Sequence, residues 1–251
     1  FILGNNENVI VYRGTDDTLI GWKEDFNMGF DFPVPAQITA LEYFEEARIG
    51  LKEGTFILGG HSKGGNLAIY ASAFASCNCQ DTIRAIYNFD GPGFTETIYE
   101  REQFLAIEDK VRTFVPEFSI VGMILEHSED YSVVSSNALG FMQHEPLSWE
   151  VARDSFPLID RVAKGSKFID HTVKDWLSGL SMEEREKFVD TIYSLLTSGN
   201  KKKVYQLGEN KLESANALVK TYAGLDDKTK KALRDISFKL LKSAGNTITR
   251  K

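Results

Sequence analysis

The sequence predicts an α/β fold, a mostly parallel sheet with helices on both faces, followed by a C-terminal helical appendage. Three observations carry that prediction. Short β-branched and aromatic runs alternate with helix-period segments from Val9 to Val115, the pattern of a parallel sheet covered by its own crossovers. An apolar run, a Gly-rich corner and a small-residue helix follow one another without a break between Gly54 and Ala75. From about Ser155 onward strand signals nearly vanish and long charged helical patterns replace them. The expected domains are a core over residues 1–154 and a helical region over residues 155–251.

Taken in order, Val9 to Tyr12 is a compact β-forming run that empties into Arg13-Gly14-Thr15-Asp16-Asp17, and it reads as a buried strand ending in a loop. Trp22 and Asp25 follow, and the Phe-, Met- and Pro-rich piece from Phe26 to Pro35 reads as irregular. Beyond Pro35, the apolar positions Ile38, Leu41, Tyr43, Phe44, Ala47 and Leu51 recur at near-helical spacing, and Gly54 closes the helix. Phe56 to Leu58 is a strand and Asn66 to Ala75 a helix. Ile83 to Phe89 is the next strand, running into the forced turn Asp90-Gly91-Pro92-Gly93. Thr95 to Ile107 reads as one charged helix, placed where a lid would lie, and Lys110 to Val115 as a strand stopped by Pro116. The loops after Tyr12, Leu58 and Phe89 all leave carboxyl ends of strands, where open α/β sheets build their sites. Beyond the core, Lys167 to Leu180, Ser181 to Thr197, Glu209 to Tyr222 and Asp226 to Ser243 read as helices. Ser181 with Glu184 forms a capping box, and Lys201-Lys202-Lys203 reads as a solvated loop.

Composition narrows the function classes. The chain has 251 residues, 42% of them hydrophobic, enough for a proper core, and a net charge of −7. That balance argues against a nucleic-acid surface and against an anionic membrane as a general docking surface. No apolar run approaches the roughly 20 residues that span a bilayer, although peripheral membrane contact is allowed. The first residue is Phe1, and a preceding segment is expected. Cys77 and Cys79 are spaced too closely for an ordinary structural disulfide and too few for a zinc site, so free thiols in a reducing cytoplasm are expected. No cluster has metal-ligand spacing and no Gly loop is built to cradle phosphate, so no metal or organic cofactor is expected.

The chemistry concentrates at Gly60-His61-Ser62-Lys63-Gly64, which matches the Gly-x-Ser-x-Gly nucleophile elbow. A serine that stands clear at the top of a sheet needs a very tight turn, and residues without a Cβ let neighbouring backbones approach. The bland reading is a tight strand-to-helix turn that happens to contain serine. A serine nucleophile needs a base held by an acid. Of four histidines, His61 inside the elbow reads as structural and His171 lies in the helical region. That leaves His127 and His144, with His144 preferred because it follows the last strand signals. Asp90, Glu117, Glu126, Asp130 and Asp109 are the candidate acids. Asp90 is preferred because it ends the strand after the elbow helix and keeps the chain order serine, acid, histidine; the competing reading is an Asp that caps its own turn. The N–H of Lys63 and the N–H and hydroxyl of Thr15 are the candidate oxyanion donors, and Lys63 is also placed to attract anionic substrates. Ile120, Val121, Met123 and Leu125 line an acyl pocket or, equally, ordinary core.

With these residues laid out, the sequence resembles the class 3, or fungal-type, lipase-like α/β-hydrolases, and more closely an uncharacterised bacterial branch of them. Val11-Tyr12-Arg13-Gly14-Thr15, with Trp22 and Asp25, resembles the oxyanion loop and its following Trp-x-x-Asp. Gly60 to Gly65 resembles the elbow, Phe114 to Asp130 resembles the stretch after the next strand, and His144 falls where the lipase histidine falls. Ser119 stands where those lipases carry their catalytic aspartate. The resemblance implies a serine esterase acting on small-molecule or lipid esters with Ser62 as nucleophile and His144 as base; either the acid has moved from the Ser119 position to Asp90, the preferred reading, or the triad is weakened. Two rivals accompany it: a weakened hydrolase-fold scaffold that binds a protein through its helical region, and an amidase or peptidase with the same triad.

Overall fold

The computed structural model describes residues 1–15, 19–28, 31–51, 53–123, 125, 127, 130–163, 167–168, 171–172, 175–176, 178–197 and 219–249. They form two compact units, Phe1–Gly14 with Pro33–Asp170, and Thr15–Phe32 with His171–Lys251.

The first unit is built on β1 (Glu7–Tyr12), β2 (Thr55–His61), β3 (Ile83–Phe89), β4 (Val111–Pro116), β5 (Tyr131–Val134) and β6 (Leu158–Ile159). Their order in the sheet is their order in the chain. The first five are parallel, and β6 runs antiparallel to β5. Alternation assigns the faces: in β1, Asn8, Ile10 and Tyr12 are buried while Val11 on the other face is exposed. The free edge of β1 is covered by the chain's own start, with Leu3 N–H donating to Glu7 O (2.7 Å) and Val9 N–H to Phe1 O (2.8 Å), which leaves less open ladder for another chain to pair with.

Parallel neighbours need crossovers, and α-helices stand in those between β1 and β4, while the described residues between β4 and β5 carry a 3₁₀ turn, Val121–Met123. Helix α2 (Pro35–Leu51) precedes β2 and packs on α3 (Lys63–Phe74). Pro35 at its start has the φ a first turn needs, and Gln37, Ala40 and Phe44 form its buried stripe. Helix α3 is buried along nearly its whole length against β1, β2 and β3, which explains its Gly, Ala and Ser content: bulkier residues would hold it off the sheet. A one-turn helix, α4 (Cys77–Gln80), leads into β3.

The sequence predicts a single helix over Thr95 to Ile107; the structure corrects this to two short turns, α5 (Glu96–Tyr99) and α6 (Glu102–Leu105). Arg101 takes an extended conformation between them. Ile98, Tyr99 and Phe104 are all buried, yet positions five and six apart lie on different faces of a continuous helix. The break lets Tyr99 and Phe104 (5.1 Å between ring centroids) join Phe94 and Phe74 in one aromatic cluster. Side chains anchored this deeply suit core packing, not a lid.

In the second unit, α1 (Leu19–Asn27) packs on α7 (Met182–Thr197). Lys23 pairs with Asp190 at 2.6 Å and lies over the Tyr193 ring. The capping box predicted at Ser181 is present: Ser181 N–H donates to Glu184 Oε2 (2.9 Å) and Glu184 N–H to Ser181 Oγ (3.2 Å). The last helix, α8 (Asp227–Thr249), begins at an Asp226 cap to Thr229 N–H (2.9 Å). The described residues between 167 and 178 are helical. Lys201–Lys203 and most of the predicted helix Glu209 to Tyr222 lie outside the described residues.

Candidate active site

Register brings two strand ends level. His61 pairs with Phe89 and Phe89 with Phe114, so the residues that follow, Ser62 and Asp90, leave neighbouring strands at the same height. Ser62 N–H donates to Phe89 O (2.9 Å), and Asp90 N–H donates to Phe114 O (2.8 Å). Each then turns through positive φ, Ser62 at 56° and Asp90 at 51°, conformations that cost a non-glycine residue about 1–3 kcal/mol and persist where the surroundings over-determine them. The surroundings at the corner are tight: a Cβ on Gly60 would come within 2.3 Å of the Gly64 backbone, and one on Gly64 within 2.2 Å of Tyr12 O. Strand and helix axes meet here with no room for side chains.

The structure brings Ser62, His144 and Asp90 into one hydrogen-bonded series. Ser62 Oγ lies 3.1 Å from His144 Nε2, and His144 Nδ1 lies 2.7 Å from Asp90 Oδ2. Donation from Nδ1–H to the carboxylate leaves Nε2 free to accept from the serine hydroxyl. Asp90 is fully buried, and its other oxygen accepts from Ser119 Oγ (2.5 Å) and from Gly122 N–H (3.2 Å). Three donors thus satisfy a charge that burial would otherwise make costly. Gly122 has a specific reason to be glycine, because a Cβ there would sit 2.2 Å from Asp90 Oδ1.

His144 is carried on a 3₁₀ turn, Gly140–His144, that four bonds secure. Gln143 Oε1 accepts from Phe118 N–H (2.7 Å), its Nε2 donates to Ala138 O (3.1 Å), and its backbone O accepts from the Trp149 indole (2.8 Å). The fourth bond comes from His61, which gives its structural reading a partner. His61 Nε2–H donates to the His144 backbone O at 2.7 Å, and the two rings lie 4.6 Å apart. Burial lowers the His61 pKa below its ordinary 6.5, and the neighbouring His144 lowers it further, so the ring favours its neutral form. Trp149 packs edge-on to Phe89 and Phe156, and Phe156 to Phe114, seating this segment on the sheet.

The remaining candidates fall elsewhere. His127 Nε2–H donates to Gly122 O (2.7 Å), behind the carboxylate, and His171 is exposed in the second unit. Asp109 precedes β4, at the sheet's opposite end. Glu117 and Asp130 are exposed, and Glu126 lies outside the described residues. Lys63 follows Ser62 as the first residue of α3, but it is only 7% exposed, which removes the expected role of attracting substrates from solution. Thr15 belongs to the second unit, within which its hydroxyl donates to Asp25 Oδ2. Of the four apolar pocket candidates, Met123 packs on the core cluster of Val115, Val133 and Val162, while Ile120, Val121 and Leu125 are half-buried. Ser119, Gln143, Gly122 and His61 are the members of this arrangement whose parts the sequence did not reveal. The one available signal was Ser119 at the lipase acid position.

A mostly parallel sheet with a serine on a strand-to-helix corner, followed along the chain by a buried carboxylate and then an imidazole, has the order of parts found in α/β-hydrolases. The chain belongs to the Mbeg1-like family, a lipase-like family whose model matches residues 1–194. No curated protein and no solved structure matches the chain.

Proposed function

We propose that the protein is a serine hydrolase that cleaves carboxylic esters, with lipid or acyl esters as the favoured substrates. Ser62 Oγ attacks the ester carbonyl while His144 Nε2 takes its proton. His144 then returns that proton to the leaving alkoxide, and water repeats the sequence to release the acid. Asp90 holds the imidazole in the Nδ1–H form and stabilises the imidazolium between the two transfers. The Lys63 N–H, at the start of α3, holds the oxyanion.

The observation that carries this reading is the unbroken series from Ser62 through His144 to Asp90. A carboxylate within reach of His144 also weighs against the scaffold alternative, in which the acid is lost at Ser119. Ester against amide is tested directly by comparing turnover of nitrophenyl esters of graded acyl length with that of matching anilides. Ser62-dependent ester turnover that exceeds anilide turnover is expected; equal or greater anilide turnover would replace the esterase reading with an amidase.

A further inference from the structure

Helix α8 lies beyond the matched family residues 1–194, and the proposed reaction uses none of it. One stripe of the helix is accounted for. Leu233 and Ile236 are buried, Trp176 Nε1–H donates to Ile236 O (3.2 Å), and Lys239 pairs with Glu184 at 2.8 Å. The opposite stripe is not. Phe238 is 67% and Leu241 71% exposed, and at about 100° per residue they share one third of the helix surface with Lys231, Arg234 and Lys242, all of them exposed. Asp235 stands at the margin of that face, and Asp227 at its start.

The chain as a whole is acidic, at −7, but Asp227 to Lys242 carries six cations against two acids. A phosphate surface alone would account for the cations and leave the two large apolar side chains in water. A purely apolar partner would account for the reverse. A surface with apolar depth beneath an anionic boundary accommodates both, which is the behaviour of interfacial amphipathic helices. Among the described residues no helix is long and apolar enough to cross a membrane, so the helix would lie along such a surface.

We propose that this face of α8 docks on an anionic lipid bilayer. Phe238 and Leu241 enter the boundary between headgroups and acyl chains, while Lys231, Arg234 and Lys242 pair with lipid phosphates. The inference is independent of the ester chemistry, and its test uses the full chain carrying Ser62→Ala so that no vesicle lipid is hydrolysed.

The test is co-sedimentation with vesicles of phosphatidylcholine alone and of phosphatidylcholine mixed with phosphatidylglycerol. Binding to the mixed vesicles is expected to exceed binding to the neutral ones and to weaken with added salt, by roughly fivefold for each of Lys231 and Lys242 replaced by Gln. Phe238→Ser with Leu241→Ser should abolish it while far-UV circular dichroism stays unchanged. No sedimentation with either vesicle, equal sedimentation with both, or binding that survives the serine substitutions would each overturn the proposal. So would tighter binding to a single-stranded oligonucleotide that ignores Phe238 and Leu241, which would mark the face as a nucleic-acid surface.

Discussion

The Asp90 carboxylate accepts from three donors on two segments, His144 Nδ1 on one and Ser119 Oγ and Gly122 N on the connection after β4, and the proposed chemistry depends on how that carboxylate is held. Asp90→Asn would leave the geometry in place but present the wrong tautomer partner, and kcat for ester turnover should fall about 10⁴-fold. Ser119→Ala removes one of three bonds to a buried charge, and a loss of about tenfold is expected. A loss in Ser119→Ala as large as in Asp90→Asn would mean that the hydroxyl does more than support the acid. His61 carries a pH prediction. Its folded pKa is lowered by burial and by His144, so its stabilising contribution is present above its ordinary 6.5 and is lost as pH falls from there through the folded value. His61→Gln keeps an N–H in reach of the His144 carbonyl without the titration. Between about pH 7 and pH 5 the variant's Tm should therefore fall less than the wild type's, and parallel curves would show that His61 is not the titrating group. Ser62, His144 and Asp90 could be picked out in the sequence because each follows a strand signal or lies in a recognisable motif. Gln143 and His61 could not, because the bonds that tie them to the rest of the site run to backbone atoms remote in sequence, Phe118 N–H and His144 O, which residue type does not announce.

At the scale of elements, the corner between β2 and α3 is the most constrained piece of backbone described. Gly64→Ala would drive a Cβ to within 2.2 Å of Tyr12 O, contact with backbone that no side-chain motion relieves. A loss of about 3 kcal/mol in unfolding free energy, or outright failure to fold, is expected from overpacking of this kind; a denaturation midpoint equal to wild type would show that strand and helix move apart readily. Phe104→Ala, in the cluster that breaks the predicted helix, should cost about 3–5 kcal/mol, against well under 1 kcal/mol if α6 were a mobile cover. β1 to β4 were legible as compact apolar or β-forming runs that end in turn signals, α2 by its near-helical spacing, and α3 as a small-residue stretch directly after the elbow. Helix α1 was not, since it is nine residues long with Gly21 in its first turn, a residue that lowers helix propensity. β5 and β6 have four and two residues, too few for alternation to register, and they exist because β4 offers an edge to pair with.

At the scale of the whole molecule, the family match over residues 1–194 spans the sheet, the candidate site and most of α7, while α8 stands outside it. Charge shows why a chain-wide balance is a poor guide to local behaviour: the net value of −7 argues against anionic partners, yet α8 concentrates cations beside exposed Phe238 and Leu241. If ester chemistry and lipid docking are separate properties, Phe238→Ser with Leu241→Ser should leave turnover of a soluble short-chain ester within about twofold of wild type. The central claim, that Ser62 is a nucleophile activated by His144 and Asp90, is tested most directly by reacting the purified protein with a fluorophosphonate and locating the adduct by peptide mass. One adduct on Ser62 is expected, absent in Ser62→Ala, nearly absent in His144→Ala and formed far more slowly in Asp90→Asn. A folded wild-type protein that takes up no probe, or one labelled as fast without His144, would contradict it.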